Sequence, residues 1–181
     1  MEMVGRGVGY CAHCDGMFYR GKVVAIVGGG NSAVAEAMYL SRIAKEVILI
    51  HRRDALRATQ IYHKALLEAP NVRILWNCQV KELLGEDVLE GILVENLKNG
   101  EVAQLDVQGL FVSIGRKPAT DLVKDQLTLD EAGYIMAGED TKTDIPGVYA
   151  VGDVRTKELR QIVTAVADGA MAAHMAEQYL S

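Results

Sequence analysis

The stretch KVVAIVGGGNSAVAEAMYLSRI, Lys22–Ile43, decides the fold. Its first part, KVVAIV, is apolar and rich in β-branched residues, as a strand buried on both faces of a sheet should be. Three glycines follow at Gly28–Gly30, and NSAVAEAMYLSRI then carries its apolar residues at helical spacing. A strand, a glycine turn and a helix in this order predict one unit of a Rossmann-like parallel sheet.

The turn fits the pattern G-x-G-x-x-A, which is formed by Gly28, Gly29, Gly30, Asn31, Ser32 and Ala33. In such a loop the first glycine makes the turn, and the second lets the backbone approach a pyrophosphate. The small last residue lets the helix and the strand pack closely. The phosphate then meets free N–H groups and the positive end of the helix dipole. We expect a dinucleotide here; the alternative is a glycine-rich turn that binds no ligand.

The residues after the next strand select the nucleotide. In related folds that prefer NAD, an acidic residue about 20 positions after the glycines binds the ribose 2′-hydroxyl. Here the strand EVILI is followed by HRRDALR, which places the basic residues His51, Arg52, Arg53 and Arg57 at this point. Cations suit the 2′-phosphate of NADP, which an acid would repel. The sequence therefore predicts NADPH, against the alternative of a solvated basic helix start.

Strands and helices continue to alternate along the chain. EVILI and VRIL indicate two more parallel strands, with a helix over Thr59–Glu68 between them. QVKELLG, VLEGILVENL and EVAQLDV predict an antiparallel β-meander, after which GLFVSIG returns to the parallel sheet. Beyond Pro118, AGYIMAG and GVYAVGDV predict strands, and RQIVTAVADGAMAAHMAEQYL predicts a helix. We expect an α/β fold with two domains, residues 1–116 and residues 117–181.

The segment GYCAHCDG contains a Cys-x-x-Cys pair, Cys11 and Cys14. A zinc site would need two further ligands, and the sequence has no second such pair; structural packing is the other alternative. A redox dithiol is favoured, because the start of a short helix and the Cys-x-x-Cys spacing both lower thiol pKa values. A protonated His13 would add a nearby positive charge, and Asp15 is the expected proton donor and acceptor. The third cysteine, Cys78, is predicted to be a small buried strand residue.

A flavin is expected together with such a dithiol. Nicotinamide delivers a hydride, and a disulfide is reduced efficiently through an intervening flavin. A chain that combines an NADP loop with a Cys-x-x-Cys pair should therefore use FAD.

Composition narrows the function classes further. The net charge of −5 argues against a nucleic-acid partner, and no run approaches the roughly 18 apolar residues of a membrane span. The beginning of the sequence, MEMVGRGVGY, lacks the apolar core of a signal peptide. Three cysteines do not suggest a secreted disulfide scaffold. We expect a cytoplasmic protein.

Together, these motifs identify a known family. The segments CAHCDG, VVAIVGGGNSAVAEAMYLS, LIHRRDALRA, FVSIGRKPAT, PGVYAVGDV and RQIVTAVADGA resemble bacterial low-molecular-weight thioredoxin reductase over nearly the whole chain, in the family's order and spacing. The resemblance implies NADPH-dependent reduction of the thioredoxin disulfide through FAD, by a homodimer. It places the NADPH domain and its cysteine pair in residues 1–116, and the C-terminal portion of a Rossmann-like FAD domain in residues 117–181.

The resemblance also implies roles for individual residues. Cys14 faces the flavin, Cys11 attacks the thioredoxin disulfide, and Asp15 is the acid–base carboxylate. The residues implied to bind NADPH are Gly28, Gly30, Asn31, Ser32, Ala33, His51, Arg52, Arg53 and Arg57. The residues implied to belong to the FAD site are Gly115, Arg116, Gly152, Asp153, Arg160, Gln161 and Ala165. No metal is implied.

The sequence departs from the family pattern in two places. His13 stands where the family usually has Thr, which resembles the flavoprotein subunit that reduces alkyl-hydroperoxide peroxiredoxins; that subunit is the alternative function. A non-catalytic NADP(H)-binding redox module is the second alternative. In the family, an earlier G-x-G-x-x-G unit for the FAD adenosine precedes the cysteine pair, whereas this sequence starts shortly before Cys11. We therefore expect this chain alone to bind FAD weakly or not at all, and to be inactive without the missing portion.

Overall fold

The computed structural model describes residues 3–181, which contain eight strands and four α-helices. The strands are β1 (Val8–Gly9), β2 (Val23–Gly28), β3 (Glu46–His51), β4 (Val72–Trp76), β5 (Cys78–Leu84), β6 (Gly91–Asn96), β7 (Val102–Leu105) and β8 (Gly109–Ser113). The helices are α1 (Ala12–Asp15), α2 (Asn31–Ser41), α3 (Gln60–Glu68) and α4 (Ile162–Leu180). The chain divides into two compact units, one that ends at Gly115 and one that covers Arg116–Ser181.

A parallel five-stranded sheet organises the first unit, in the order β1-β8-β2-β3-β4. The central strand β2 pairs with β3 on one side and with β8 on the other, so that Ile26 lies between Leu49 and Phe111. Strands β5, β6 and β7 form a separate antiparallel sheet. This arrangement confirms the predicted α/β fold with a parallel sheet and a β-meander.

Both faces of the parallel sheet are covered, which explains the continuous apolar runs of its strands. Ile26 and Leu49 face the helix side, where they pack with Leu40 of α2 and Leu66 of α3. Alternate residues of the same strands face the other side, where Ile48 and its neighbours pack with residues of the meander. Each fully buried Ile or Leu side chain of this kind contributes about 1.5–3 kcal/mol.

The predicted strands and helices of the first unit are confirmed, with boundaries shifted by up to three residues. Thr59 is the N-cap of α3 and not its first residue. The sequence did not predict β1, because a strand of two residues is too short to show a periodic pattern. This short strand pairs with β8 and leads directly into the cysteine segment.

The second unit contains the predicted long helix, α4, but not the predicted strands. AGYIMAG and GVYAVGDV form only isolated bridges, from Ile135 to Leu129 and to Arg155 and from Lys142 to Tyr149. Gly152–Val154 is a 3-10 turn. The strand predictions were wrong because a strand needs a ladder of consecutive pairs, and residues 116–181 provide only single bridges. The apolar residues that favoured strands in AGYIMAG and GVYAVGDV are thus not part of a sheet, and one of them, Val151, is exposed.

Among residues 3–181, none of the helices combines the length and the apolar character that crossing a bilayer requires.

Candidate functional site

Cys11 and Cys14 are joined by a disulfide at the start of α1, with their Cα atoms 5.3 Å apart. Cys11 is the N-cap of this short helix, and its Sγ accepts a hydrogen bond of 3.1 Å from the backbone N–H of Cys14. Cys14 is exposed, whereas Cys11 is half-buried. The four-residue helix therefore holds the two sulfurs in bonding position and leaves one of them open to solvent.

The cysteine segment packs on the C-terminal half of α2. Gly16 lies so close to Tyr39 and Leu40 that a Cβ at this position would be 2.8 Å and 3.0 Å from their side chains. The ring of His13 stacks on the ring of Tyr39, with centroids 4.5 Å apart. These contacts fix the disulfide relative to the helix that starts at the glycine loop.

Asp15 is the last residue of α1 and is half-buried beside β1. A Cβ on Gly9 would lie 3.4 Å from its Oδ2 atom, so the carboxylate is close to the backbone that leads into the pair. Burial, and then the charge of Asp15, raise the pKa of Tyr19. The carboxylate is thus next to Cys14 in the chain and near a phenol.

The glycine loop has the geometry that its pattern predicts. A Cβ on Gly28 would be 2.6 Å from the Cβ of Ala33 and would overlap the carbonyl oxygen of Ser113, so no larger residue fits at Gly28. Gly30 is the N-cap of α2, and a Cβ there would meet nothing within 4 Å. The first N–H groups of α2 have no acceptor within the helix, which leaves an open, positively polarised surface.

His51 does not lie with the arginines at the surface. It is 5% exposed, and a Cβ on Gly29 would overlap its ring. Its Nε2 donates a 3.0 Å hydrogen bond to the carbonyl oxygen of Ala55, and its ring meets the edge of Trp76. His51 therefore packs against the glycine loop at Gly29 and bonds to the basic segment at Ala55.

Backbone hydrogen bonds connect the glycine loop, residues 28–30, to the basic segment, residues 51–57, and to the two residues that follow it. The N–H groups of Arg57 and Ala58 donate to the Gly29 carbonyl oxygen at 2.7 Å and 3.1 Å. The N–H of Thr59 donates to Oδ1 of Asn31 at 2.9 Å. Asn31 thus holds the basic segment with its side chain while its backbone starts α2.

A cleft of about 270 Å³ opens between these two loops. It is lined by Val27, Gly28, Gly29, Ile50, His51, Arg52, Arg57, Cys78, Gln79 and Ile114. Arg52, Arg53 and Arg57 are all exposed, but Arg53 is not part of this lining. The cleft therefore combines the first two glycines of the loop with two arginine side chains.

The cleft also contains a residue that sequence reasoning placed elsewhere. Cys78 is half-buried, not fully buried, and it lines the cleft at the start of β5. Its thiol donates to the carbonyl oxygen of Trp76 at 3.2 Å, and burial raises the pKa of the thiol. A raised pKa leaves the thiol protonated at neutral pH, so Cys78 is suited to packing and not to nucleophilic chemistry.

The cysteine pair and the cleft lie in separate parts of the first unit. The pair packs near Tyr39, whereas the glycine loop precedes Asn31, which is about 12 Å away along the helix axis. Neither Cys11 nor Cys14 lines the cleft.

In the second unit, the residues expected in the FAD site lie at the start of α4 or next to it. Arg160 donates to the backbone carbonyl oxygen of Asp153, and Ala165 packs 3.6 Å from where a Cβ of Gly152 would be. Gln161 caps α4. Two other expected residues mark the boundary between the units: Gly115 ends the first unit, and Arg116 in the second forms a 4.0 Å ion pair with the exposed Asp153.

Sequence reasoning missed a buried ion cluster beneath these residues. The carboxylate of Asp168 accepts hydrogen bonds from Arg155 at 2.8 Å and 2.9 Å, from Lys157 at 2.7 Å and from the N–H of Gly152 at 2.9 Å. The bonds from Arg155 outweigh burial, and the pKa of Asp168 is well below its usual range. The only sequence signal was an acid at helical spacing on an otherwise apolar helix.

The described part of the chain holds no group of three or more His, Cys, Asp or Glu side chains arranged to bind a metal ion.

Comparisons with known proteins place these features in a family. Residues 1–169 match the model of the pyridine nucleotide-disulphide oxidoreductases. The thioredoxin reductase of Coxiella burnetii is 48% identical over 98% of this chain, and that of Peptoclostridium acidaminophilum is 43% identical over 99%. The crystal structure of thioredoxin reductase from Streptococcus pyogenes covers 97% of this chain at 45% identity, with a TM-score of 0.93.

These relatives are longer than the chain. It spans 58% of the Coxiella burnetii protein, 59% of the Peptoclostridium acidaminophilum protein and 57% of the Streptococcus pyogenes structure. The similarity therefore concerns somewhat more than half of each relative.

Proposed function

Because this chain belongs to the pyridine nucleotide-disulphide oxidoreductase family, we propose that it carries the NADPH site and the redox-active dithiol of a thioredoxin reductase. The observation that carries the proposal is the Cys11–Cys14 disulfide on a helix packed against α2, whose other end starts at the glycine loop. In this proposal, residues 1–116 are the NADPH domain and residues 117–181 are one portion of an FAD domain.

The residues around the cleft fit NADPH. The open surface at Gly30 and the first turn of α2, with Asn31 and Ser32, would receive the pyrophosphate. The exposed guanidinium groups would hold the 2′-phosphate, since fork-shaped cations bind phosphate oxygens by paired charge-assisted bonds. No acidic side chain is among the lining residues of the cleft, so nothing there favours NADH.

The glycine loop and the disulfide lie near opposite ends of α2. This separation supports an electron carrier between the nucleotide and the disulfide. When bound, FAD supplies this link, because a flavin accepts a hydride and reduces a disulfide. The residues at the start of α4 fit one part of a flavin nucleotide. Asp153 presents an exposed carboxylate, and the first turn of α4 exposes the apolar side chains of Ile162 and Val163.

The dithiol itself performs thiol–disulfide exchange. After reduction, the Cys11 thiolate attacks one sulfur of the thioredoxin disulfide, and the other thioredoxin sulfur leaves as a thiolate and takes up a proton. Cys14 then attacks Cys11, which restores the Cys11–Cys14 disulfide and releases thioredoxin as a dithiol. Two electrons and two protons pass to thioredoxin in this sequence. We assign Asp15 the proton transfers, because it follows Cys14 directly and is half-buried beside it.

Two further proposals rest on the family alone. We propose that the protein acts as a homodimer, and that it works in the cytoplasm, where reducing conditions keep substrate thiols reduced.

Trapping a mixed disulfide tests the reaction. Reduced Cys14→Ser chain, freed of reductant, is mixed with oxidised thioredoxin and quenched with a thiol-alkylating agent, which blocks the thioredoxin thiol that would reverse the attack. A disulfide-linked species of the summed mass should then be found, because Cys14 cannot resolve it. Cys11→Ser is the matched control and should give little of this adduct; Cys78→Ser should behave as the wild type.

Mass spectrometry of non-reduced samples reads the result. If no adduct forms with thioredoxin but one forms with an oxidised peroxiredoxin, the peroxiredoxin replaces thioredoxin as the proposed substrate. An absence of exchange with either protein would leave a nucleotide-binding redox module in place of the reductase.

A further inference from the structure

We propose that Asp168 is a positioning residue that holds the turn Gly152–Val154 and thereby fixes the direction of the Asp153 carboxylate. The inference rests on the proposed function only where it gives Asp153 a role in the FAD portion, and there it deepens that function. Asp168 lies outside the set of residues that the family resemblance implies. The proposal assigns it no contact with a ligand.

The turn begins with a backbone N–H group that lies outside every strand of the described chain. Gly152 is buried and has a φ of +76°, a conformation that favours glycine, and the neighbouring segments form only isolated bridges. A buried N–H group needs an acceptor inside the protein. The carboxylate of Asp168 supplies this acceptor, because its Oδ2 atom accepts the Gly152 N–H at 2.9 Å.

The Asp168 carboxylate is itself held in one place. Arg155 donates to both of its oxygens, through Nε to Oδ2 at 2.9 Å and through Nη2 to Oδ1 at 2.8 Å. Lys157 donates to Oδ2 at 2.7 Å. The side chains of Arg155 and Asp168 are 2% and 8% exposed, so water competes little for these bonds. A planar guanidinium bound in this way orients the carboxylate, which therefore offers the Gly152 N–H a fixed acceptor.

A different segment holds the other end of the turn. The carbonyl oxygen of Val154 accepts the N–H of Ile135 at 2.9 Å. Asp153 lies between the two ends, and its carbonyl oxygen accepts a 3.3 Å hydrogen bond from Arg160. The backbone on both sides of Asp153 is therefore bonded, while its side chain is exposed. The turn thus directs the carboxylate toward solvent.

The bond from Gly152 to Asp168 joins this turn to α4, a helix of 19 residues. The first turn of the same helix exposes the apolar side chains of Ile162 and Val163. In the proposed function, these side chains and the Asp153 carboxylate belong to one site, so their relative position matters. Asp168 sets that position from beneath the surface.

A measurement on the wild-type chain tests the contact. In NMR spectra of the isotope-labelled protein, a coupling through the hydrogen bond should connect the amide nitrogen of Gly152 to the carboxyl carbon of Asp168. The backbone bond from Ile135 to Val154, also 2.9 Å long, provides the internal reference. Detection of the reference coupling without the one from Gly152 to Asp168 would overturn the proposal.

Two variants that differ only at residue 168 test the positioning. Arg155→Met and Lys157→Met are combined with either Asp168→Leu or Asp168→Asn, so that no buried charge of the cluster is left without a partner. An asparagine still offers an acceptor oxygen to the Gly152 N–H, and a leucine does not. The Gly152 amide should therefore exchange its hydrogen about tenfold faster with Asp168→Leu than with Asp168→Asn. Residual dipolar couplings of Gly152–Val154 should fit the wild-type orientation relative to α4 only with Asp168→Asn.

Glu177→Gln, an exposed change on α4, is the control and should leave both readouts at their wild-type values. Equal readouts for the two variants at residue 168 would overturn the proposal, because the turn would then be held without Asp168. Loss of α4 in the variant with Asp168→Leu would also overturn it, since Asp168 would then hold the whole unit and not the turn.

These readouts need neither flavin nor thioredoxin, which separates this inference from the proposed function. If no mixed disulfide forms with thioredoxin or with a peroxiredoxin, the proposed reductase fails, and the flavin role of Asp153 fails with it. The NMR measurements would still decide whether Asp168 holds the turn. If they contradict this, the trapping experiment still decides the proposed function.

Discussion

Arg52 and Arg57 line the same cleft as Gly28 and Gly29, the glycines of the loop that leads to α2. The helix start attracts any pyrophosphate, because free N–H groups and the helix dipole do not distinguish nucleotides. Discrimination between NADPH and NADH must therefore come from side chains that meet the 2′-phosphate.

Arg52→Gln should consequently weaken NADPH binding about tenfold and change NADH binding by less than about twofold, since it removes one charge-assisted contact. Calorimetric titration of the two nucleotides measures both values. Arg42→Gln, which changes an exposed arginine at the C-terminal end of α2, should leave both affinities unchanged. Equal weakening of NADPH and NADH by Arg52→Gln would contradict a 2′-phosphate role.

For single residues, the sequence predicted which residues belong to the candidate site better than it predicted the directions in which their side chains point. The spacing of Gly28 and Ala33 is enough to predict their contact, because this contact follows from the turn that the pattern imposes. The spacing places His51 beside Arg52 in the chain but does not tell which of them points inward. That depends on the pleat of β3, whose alternation places its last residue on the same side of the sheet as Leu49, next to Gly29.

Helix α4 shows how one element can depend on a single buried charge. Asp168 lies on this helix and connects it to Gly152, Arg155 and Lys157 in the preceding segment. An asparagine in its place has one acceptor oxygen, whereas the cluster directs four donor contacts at the carboxylate. Removing the charge would also leave the buried Arg155 with only the exposed Glu139, 3.9 Å away, as an acidic partner.

Asp168→Asn should therefore destabilise the second unit by about 3–5 kcal/mol at neutral pH. The folded pKa of Asp168 is lowered, so the stability it contributes is complete above the unfolded pKa of about 4 and is lost as the pH falls below it. The difference between wild type and variant should accordingly shrink on acidification. Scanning calorimetry at several pH values checks this.

Glu177→Gln, an exposed change on the same helix, is the control for loss of a carboxylate. It should alter the unfolding midpoint little at any pH. A difference between Asp168→Asn and wild type that stays constant down to pH values well below 4 would show that the charge of Asp168 does not carry the effect.

Elements were predictable where their neighbours are present in the same unit. Strand β2 has β3 and β8 beside it, and its apolar run becomes a strand buried on both faces. The run GVYAVGDV has a similar composition but forms only one bridge, at Tyr149. Apolar character alone does not make a strand, because backbone groups must also find a ladder of partners.

The whole molecule consists of two units with different chemistry. Every residue that lines the cleft between the glycine loop and Arg57 lies in the unit that ends at Gly115, and so does the disulfide. The second unit exposes large apolar side chains at the start of α4, where Ile162 is 85% and Val163 is 70% exposed. In the function that we propose, this apolar surface contacts flavin or a further part of the FAD domain.

Because the chain divides into these two units, we predict that nucleotide binding does not require the second one. A chain that ends at Gly115 should bind NADPH with a dissociation constant within about threefold of the value for all 181 residues, because the parallel sheet, its helices and the meander all remain. Calorimetric titration of both forms, with the Trp76 emission as a check on folding, measures this. The companion fragment Arg116–Ser181 should bind no NADPH. If the shorter chain folds, as Trp76 shows, but loses NADPH binding, then the cleft between the glycine loop and Arg57 is not the complete nucleotide site.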